Sequence, residues 1–151
     1  MHLHYDLHSH SIASDGTLSP VELVTAAHAA GVDVLALTDH DTLDGLVEAA
    51  QTARTLGLQL VPGVEISVSW QSQTIHILAL GIDPGCEVLQ AGLADLREYR
   101  HWRASEIGRR LARAGIGGSY EGACALAAGR LPCQWYPSPA RSCWWLPVRS
   151  C

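Results

Sequence analysis

Hydrophobic and polar positions repeat with two periods along the first 120 residues or so, and their order predicts an α/β fold. Residues 2–7 alternate as a short strand does, with Leu3, Tyr5 and Leu7 on one face. Ser19-Pro20-Val21-Glu22 reads as a helix start: Ser as the cap, Pro at the first helical position, Glu three residues after the cap. That helix is expected to reach about Ala30 and stop at Gly31. Residues 32–38 are an apolar run of strand length, suited to a buried parallel strand. Asp41 or Thr42 then caps a second helix that reaches Leu56 and closes at Gly57. Residues 58–61 and 64–70 read as two further strands, and Gln71-Ser72-Gln73 as a turn into a strand over 74–80. The succession β-α-β-α-β, followed by a hairpin-like pair, implies helices covering a mostly parallel sheet. Residues 86–114 are helical in pattern, with a break expected near Gly92. Their Arg-rich second half, residues 97–113, carries Ile107 and Leu111 on its apolar face and reads as a covering helix.

From Leu131 onward neither period continues. Residues 131–151 hold four of the seven Pro, three of the five Trp, three of the five Cys and no acid. A natural loop seldom combines these, so the tail reads as frameshifted and disordered, leaving residues 1–130 as the domain.

Charge and composition then narrow the function. Residues 1–96 carry twelve acids and one base, Arg54, whereas residues 97–121 carry six Arg and three Glu. An acidic N-terminal part is a poor surface for duplex nucleic acid, whose binding relies on Lys and Arg neutralising phosphates. Divalent cations among those acids would ease the imbalance. Lysine is absent, which excludes a Schiff-base lysine, a P-loop lysine and a carbamylated lysine bridging two metals. The Cys residues show no CxxC spacing, against a zinc knuckle. No apolar run is long enough to span a membrane and no signal peptide is visible, so the expected location is cytoplasmic.

Metal-ligand residue types concentrate in the first 76 positions. His8 and His10, two apart at the end of the first strand, can present both imidazoles to one ion. A lone HxH is weak, but Asp15 lies in the next loop, Asp39 and His40 end the second strand, Glu65 follows the third, and His76 lies in the strand beyond. In α/β barrels, side chains at the C-terminal strand ends converge on one site. His28 and His101 fall within helices and read as structural or exposed, and His2 and His4 as packing or solvent-facing.

Tyr5-Asp6-Leu7-His8-Ser9-His10-Ser11, Ser14-Asp15-Gly16-Thr17, Leu37-Thr38-Asp39-His40-Asp41, Gly63-Val64-Glu65-Ile66-Ser67 and the strand holding His76 together resemble the polymerase and histidinol phosphatase (PHP) family. The resemblance covers roughly residues 2–130. It is nearest to stand-alone phosphoesterases that include nucleoside 3′,5′-bisphosphate phosphatases and 5′→3′ exoribonucleases. It implies a distorted seven-stranded β/α barrel, here its N-terminal part, and two or three divalent ions, Mn, Zn or Fe. By that resemblance His8 and His10 bind one ion, Glu65 bridges to a second held by His76, and Asp15 and His40 bind a third. Asp6 and Asp39 would orient the imidazoles, a role metal-site chemistry also favours. Arg100 and Arg103 would be weak candidates for a substrate phosphate, against the more ordinary reading of surface residues. The implied reaction is hydrolysis of small phosphorylated nucleotides or RNA ends by a metal-bound hydroxide, with no protein nucleophile.

The family pattern also includes three later ligands, a His and then an Asp and a His. No His follows His101 and no acid follows Glu121. The resemblance runs through Tyr120-Glu121-Gly122-Ala123 and on to Arg130. Codons for Trp135-Tyr136-Pro137-Ser138, read one base later, can encode Gly-Thr-His, which is compatible with a shifted frame. The sequence thus leaves two alternatives beside the phosphoesterase. One is a non-catalytic truncated fragment with residual metal binding. The other is an amidohydrolase-type hydrolase, disfavoured by the missing lysine.

Overall fold

The computed structural model describes residues 2–71 and 73–127. The frameshifted tail expected over 131–151 lies outside the described residues. The order is β1 (Tyr5–Ser9), α1 (Pro20–Ala29), β2 (Val34–Leu37), α2 (Leu46–Leu56), β3 (Gln59–Trp70), β4 (Gln73–Leu80), α3 (Glu87–Arg113) and α4 (Ser119–Ala127). The four strands form one sheet in the order β1-β2-β3-β4. Strand β2 pairs in parallel with β1 and β3, and β3 pairs antiparallel with β4. This is the α/β arrangement that the two periods predict. Among the described residues, no helix is long and apolar enough to cross a membrane.

The start of α1 forms as its sequence dictates. The Ser19 side chain accepts the Glu22 amide, Glu22 accepts the Ser19 amide, and Pro20 opens the helix. Gly31 follows the Ala30 cap at φ 82°, a left-handed turn that favours glycine. Strand β2 is buried at all four positions. On one side Leu35 and Leu37 join Val24 of α1, Leu46, Ala49 and Ala53 of α2, and Leu58 in the main core.

Three expectations need correction. Helix α2 begins at Leu46, with Gly45 as a cap that makes no side-chain bond. Asp41 is unavailable as a cap because its carboxylate is taken by Ser67 and Arg100, and Thr42 Oγ1 instead accepts the Asp44 amide in a local turn. The strands expected at 58–61 and 64–70 are one strand, β3. Its first half pairs with β2 up to Leu37↔Pro62, and its second half pairs with β4 from Gly63↔Leu80. A side chain at the changeover, Gly63, would place its Cβ 2.8 Å from Thr38 Cγ2 and 3.0 Å from the Ala79 carbonyl oxygen. Glycine therefore lets both neighbours approach. Finally, α3 runs unbroken through Gly92. Its buried residues Leu93, Arg100 and Ala104 follow helical spacing, and packing along that stripe outweighs the roughly 1 kcal/mol that an internal glycine costs.

Candidate metal centre

The parallel register puts the chain ends of β1, β2 and the middle of β3 side by side. Thr38 fastens the first two, donating from its hydroxyl to the Ser9 carbonyl at 3.0 Å while its amide donates there at 2.9 Å. The β1–β2 register shifts between Asp6 and Ser9, the stretch that holds Leu7 and His8. His40 then forms an isolated parallel bridge with Glu65, and β4 sets His76 opposite Ser67. Residues i and i+2 share a face of a strand, so Glu65, Ser67 and His76 project from the same side.

Four imidazoles surround the Glu65 carboxylate. Its Oε2 lies 2.8 Å from His8 Nε2, 3.0 Å from His10 Nε2 and 3.5 Å from His40 Nε2, and its Oε1 lies 3.0 Å from His76 Nδ1. Asp15 approaches from the loop after β1, with Oδ1 3.3 Å from His10 Nδ1 and Oδ2 4.0 Å from His40 Nε2. Three donor groups result: His8, His10 and Glu65; His10, Asp15 and His40; His40, Glu65 and His76. Within each, the donor atoms lie within 4.8 Å of one another. The six residues singled out in the sequence are all brought together.

The donor chemistry fits cations. His10 turns both ring nitrogens toward carboxylate oxygens. A neutral imidazole has one donor and one acceptor nitrogen, so one of these contacts sets lone pair against lone pair unless the ring is doubly protonated or a cation lies between. Burial pushes the Glu65 carboxyl up. The His8 hydrogen bond and the charges of His40, His8 and His10 outweigh it and hold the group below the ordinary carboxylate range. His40 is held below the usual imidazole value, chiefly by burial, with Glu65 and Asp15 opposing and His10 and Arg100 reinforcing. A neutral His40 beside an ionised Glu65 is the protonation state that ligates a metal.

The surrounding carboxylates divide their work. Asp39, only 2% exposed, accepts the Ser11 amide at 2.8 Å, the Ser11 hydroxyl at 2.7 Å and the Ser14 hydroxyl at 2.6 Å. Ser14 Oγ lies 3.5 Å from His10 Nδ1, so Asp39 reaches an imidazole through a serine. Asp6 accepts the His8 backbone amide at 3.4 Å, a contact with the main chain of His8. Gly16 lets this loop fold back, since a Cβ there would sit 2.2 Å from the His10 carbonyl oxygen.

Arg100, ordinarily read as a surface residue, is buried and pairs with Asp41. With Arg103 it lines a cleft that also includes Ser67, Ser69, Thr74 and Tyr99. Ser11, Ser14, Asp41 and Ser67 stand within the motifs that carry the family resemblance, yet nothing in the sequence assigns them these contacts, and Arg97 stands in none of the motifs. His2, His4, His28 and His101 are exposed and apart from the cluster.

Residues 4–112 match the PHP domain model. The chain is 50% identical over 127 residues, 84% of its length, to a 5'-3' exoribonuclease of Haemophilus influenzae. It is also 50% identical over 118 residues, 78% of its length, to a 3',5'-nucleoside bisphosphate phosphatase of Chromobacterium violaceum. It spans 46% and 41% of those two relatives. A solved structure from Chromobacterium violaceum, described as an amidohydrolase with bound sulfate and no metal, superposes with a TM-score of 0.73 at 49% identity. That match covers 80% of this chain and 43% of the other. The sheet, the strand-end cluster and these matches place the chain in the PHP domain family.

Proposed function

We propose that the chain carries the metal-holding part of a phosphoesterase that hydrolyses phosphate esters of small nucleotides or RNA ends, in the cytoplasm. The observation that carries this is the Glu65 carboxylate, with Oε2 facing His8 and His10 and Oε1 facing His76. One carboxylate shared between two donor groups is the arrangement that holds two cations close together. The names of the two half-identical relatives supply the substrate class. The sulfate in the solved structure from Chromobacterium violaceum, described as an amidohydrolase, is a tetrahedral oxyanion of phosphate's shape.

In this reading His8, His10 and Glu65 hold one ion, Glu65 and His76 a second, and Asp15 and His40 a third. Nitrogen and oxygen donors without sulfur suit Mn, Zn or Fe. Such ions, when bound, supply a hydroxide at neutral pH and neutralise charge on the phosphoryl oxygens. The chain's own residues fix where that chemistry occurs. Asp39 holds the loop of Ser11 and Ser14 against His10, and the β3–β4 register holds His76 beside Glu65. Arg103, on the cleft beside Ser67, is the proposed contact for a substrate phosphate.

The test is phosphate or mononucleotide release from a nucleoside 3′,5′-bisphosphate and from a 5′-phosphorylated oligoribonucleotide, with and without Mn. The expected result is Mn-dependent release that His8→Ala and Glu65→Ala abolish. Hydrolysis of a cyclic amide with none of the phosphoesters would replace this reading with an amidohydrolase. Tight Mn binding without turnover of either class would assign a non-catalytic metal-binding fragment.

A further inference from the structure

Asp41 directly follows His40 and has φ 52°, a left-handed conformation uncommon outside glycine. Its side chain is fully buried. The Asp41 amide donates to the Glu65 carbonyl at 3.1 Å, and its Oδ1 accepts the Ser67 amide at 2.9 Å. Its Oδ2 lies 2.5 Å from Arg100 Nη2, a pairing of charges not aligned as a hydrogen bond. Arg97 of α3 adds a hydrogen bond to the Asp41 carbonyl at 2.7 Å. The same Arg100 Nη2 donates to Ser67 Oγ at 2.5 Å, and that hydroxyl lies 3.4 Å from His76 Nδ1. A single buried guanidinium thus touches the residue after His40 and the hydroxyl beside His76, with Glu65 tied in between.

A buried ion pair adds little net stability over apolar packing, and a left-handed aspartate costs further. Both features make sense through what they organise. We propose that Arg100 is a positioning residue: through Asp41 and Ser67 it fixes the His40 and His76 imidazoles, and with them the donor group of His40, Glu65 and His76. The inference rests on the metal-holding reading above and assigns helix α3 a part in the metal centre. Among the described residues, His8 and His10 have no hydrogen bond or ion pair with Arg100, and their group meets its network only through Glu65, whose carbonyl accepts the Asp41 amide.

The experiment is a Mn titration of the full chain, followed by the electron paramagnetic resonance signal of free Mn, with far-UV circular dichroism as the check on folding. Binding is read without any substrate, so failure of the phosphoesterase reading leaves the result interpretable. Arg100→Gln removes the charge, Arg100→Lys keeps it without the planar fork, and Ser67→Ala cuts only the link to His76. One Mn site, assigned to His8, His10 and Glu65, is expected to change least in all three. Affinity at the other sites should fall about 10–100-fold in Arg100→Gln and Ser67→Ala, and less in Arg100→Lys. Wild-type titration in Ser67→Ala and Arg100→Lys would overturn the proposal. So would an equal loss at every Mn site, which marks a general role in folding. If Arg100→Gln does not fold, Ser67→Ala decides, because it leaves the ion pair intact.

Discussion

Among the described residues Asp39, buried, accepts three hydrogen bonds, from one amide and two hydroxyls, and none from an imidazole. Its influence on His10 passes through Ser14. Replacing it with Asn turns one acceptor oxygen into a donor facing Ser11, whose hydroxyl already accepts the Ala13 amide. Asp39→Asn is therefore expected to cost about 1–3 kcal/mol of stability in urea denaturation of the metal-free chain. It should also weaken Mn binding about 10–100-fold in a direct titration. Unchanged affinity would show that the serine relay does not orient His10. At this scale His8, His10, Asp15, His40, Glu65 and His76 were legible because ligand residue types recur at strand ends. Ser11, Ser14 and Ser67 were not, since a hydroxyl's role depends on where the loop carries it, and serines are common in loops.

Among the elements, α1 was legible from its own residues, and its stability should respond to them. Ser19→Ala removes the acceptor for the Glu22 amide and should cost about 0.5–2 kcal/mol by thermal or chemical denaturation. The Ser19 amide, and then its hydroxyl, hold the Glu22 carboxyl below its ordinary value of 4.5. A carboxyl depressed in the folded state stabilises the fold above the unfolded value, and this is lost as pH falls through the folded one. The wild type should thus lose part of its margin over Ser19→Ala below about pH 4.5, the unfolded carboxyl value, in denaturation curves taken across that range. Elements whose form depends on other parts of the chain were misread. Asp41 looks like a cap until Arg100 claims it, and Gly63 looks like a break until both neighbouring strands press on it. Gly63→Ala should cost about 1–3 kcal/mol, because Thr38 and the Ala79 carbonyl would have to yield. Stability equal to the wild type would mean that the changeover tolerates a side chain.

For the whole molecule, the edge strands of the sheet carry both ligand residues of the metal centre and exposed apolar residues. Strands β1 and β4 are the edges of the described sheet. Leu3 beside β1, Tyr5 and Leu7 on it, and Ile75, Ile77, Leu78 and Leu80 on β4 are all exposed. Unpaired strand edges bearing apolar side chains are templates for pairing with another chain. The chain is therefore expected to self-associate with rising concentration, read as increasing mass in light scattering after size exclusion, and to bind a hydrophobic dye. Ile75 and Ile77 point away from the face that carries His76, because successive residues of a strand face opposite sides. Lysine at both positions should lower the mass toward that of one chain while leaving Mn binding as in the wild type. If the doubly substituted chain associates as strongly as the wild type, β4 is not the sticky edge, and β1 becomes the strand to change. If Mn binding falls with the association, the metal centre depends on contact between copies, because the substitutions leave the His76 face untouched.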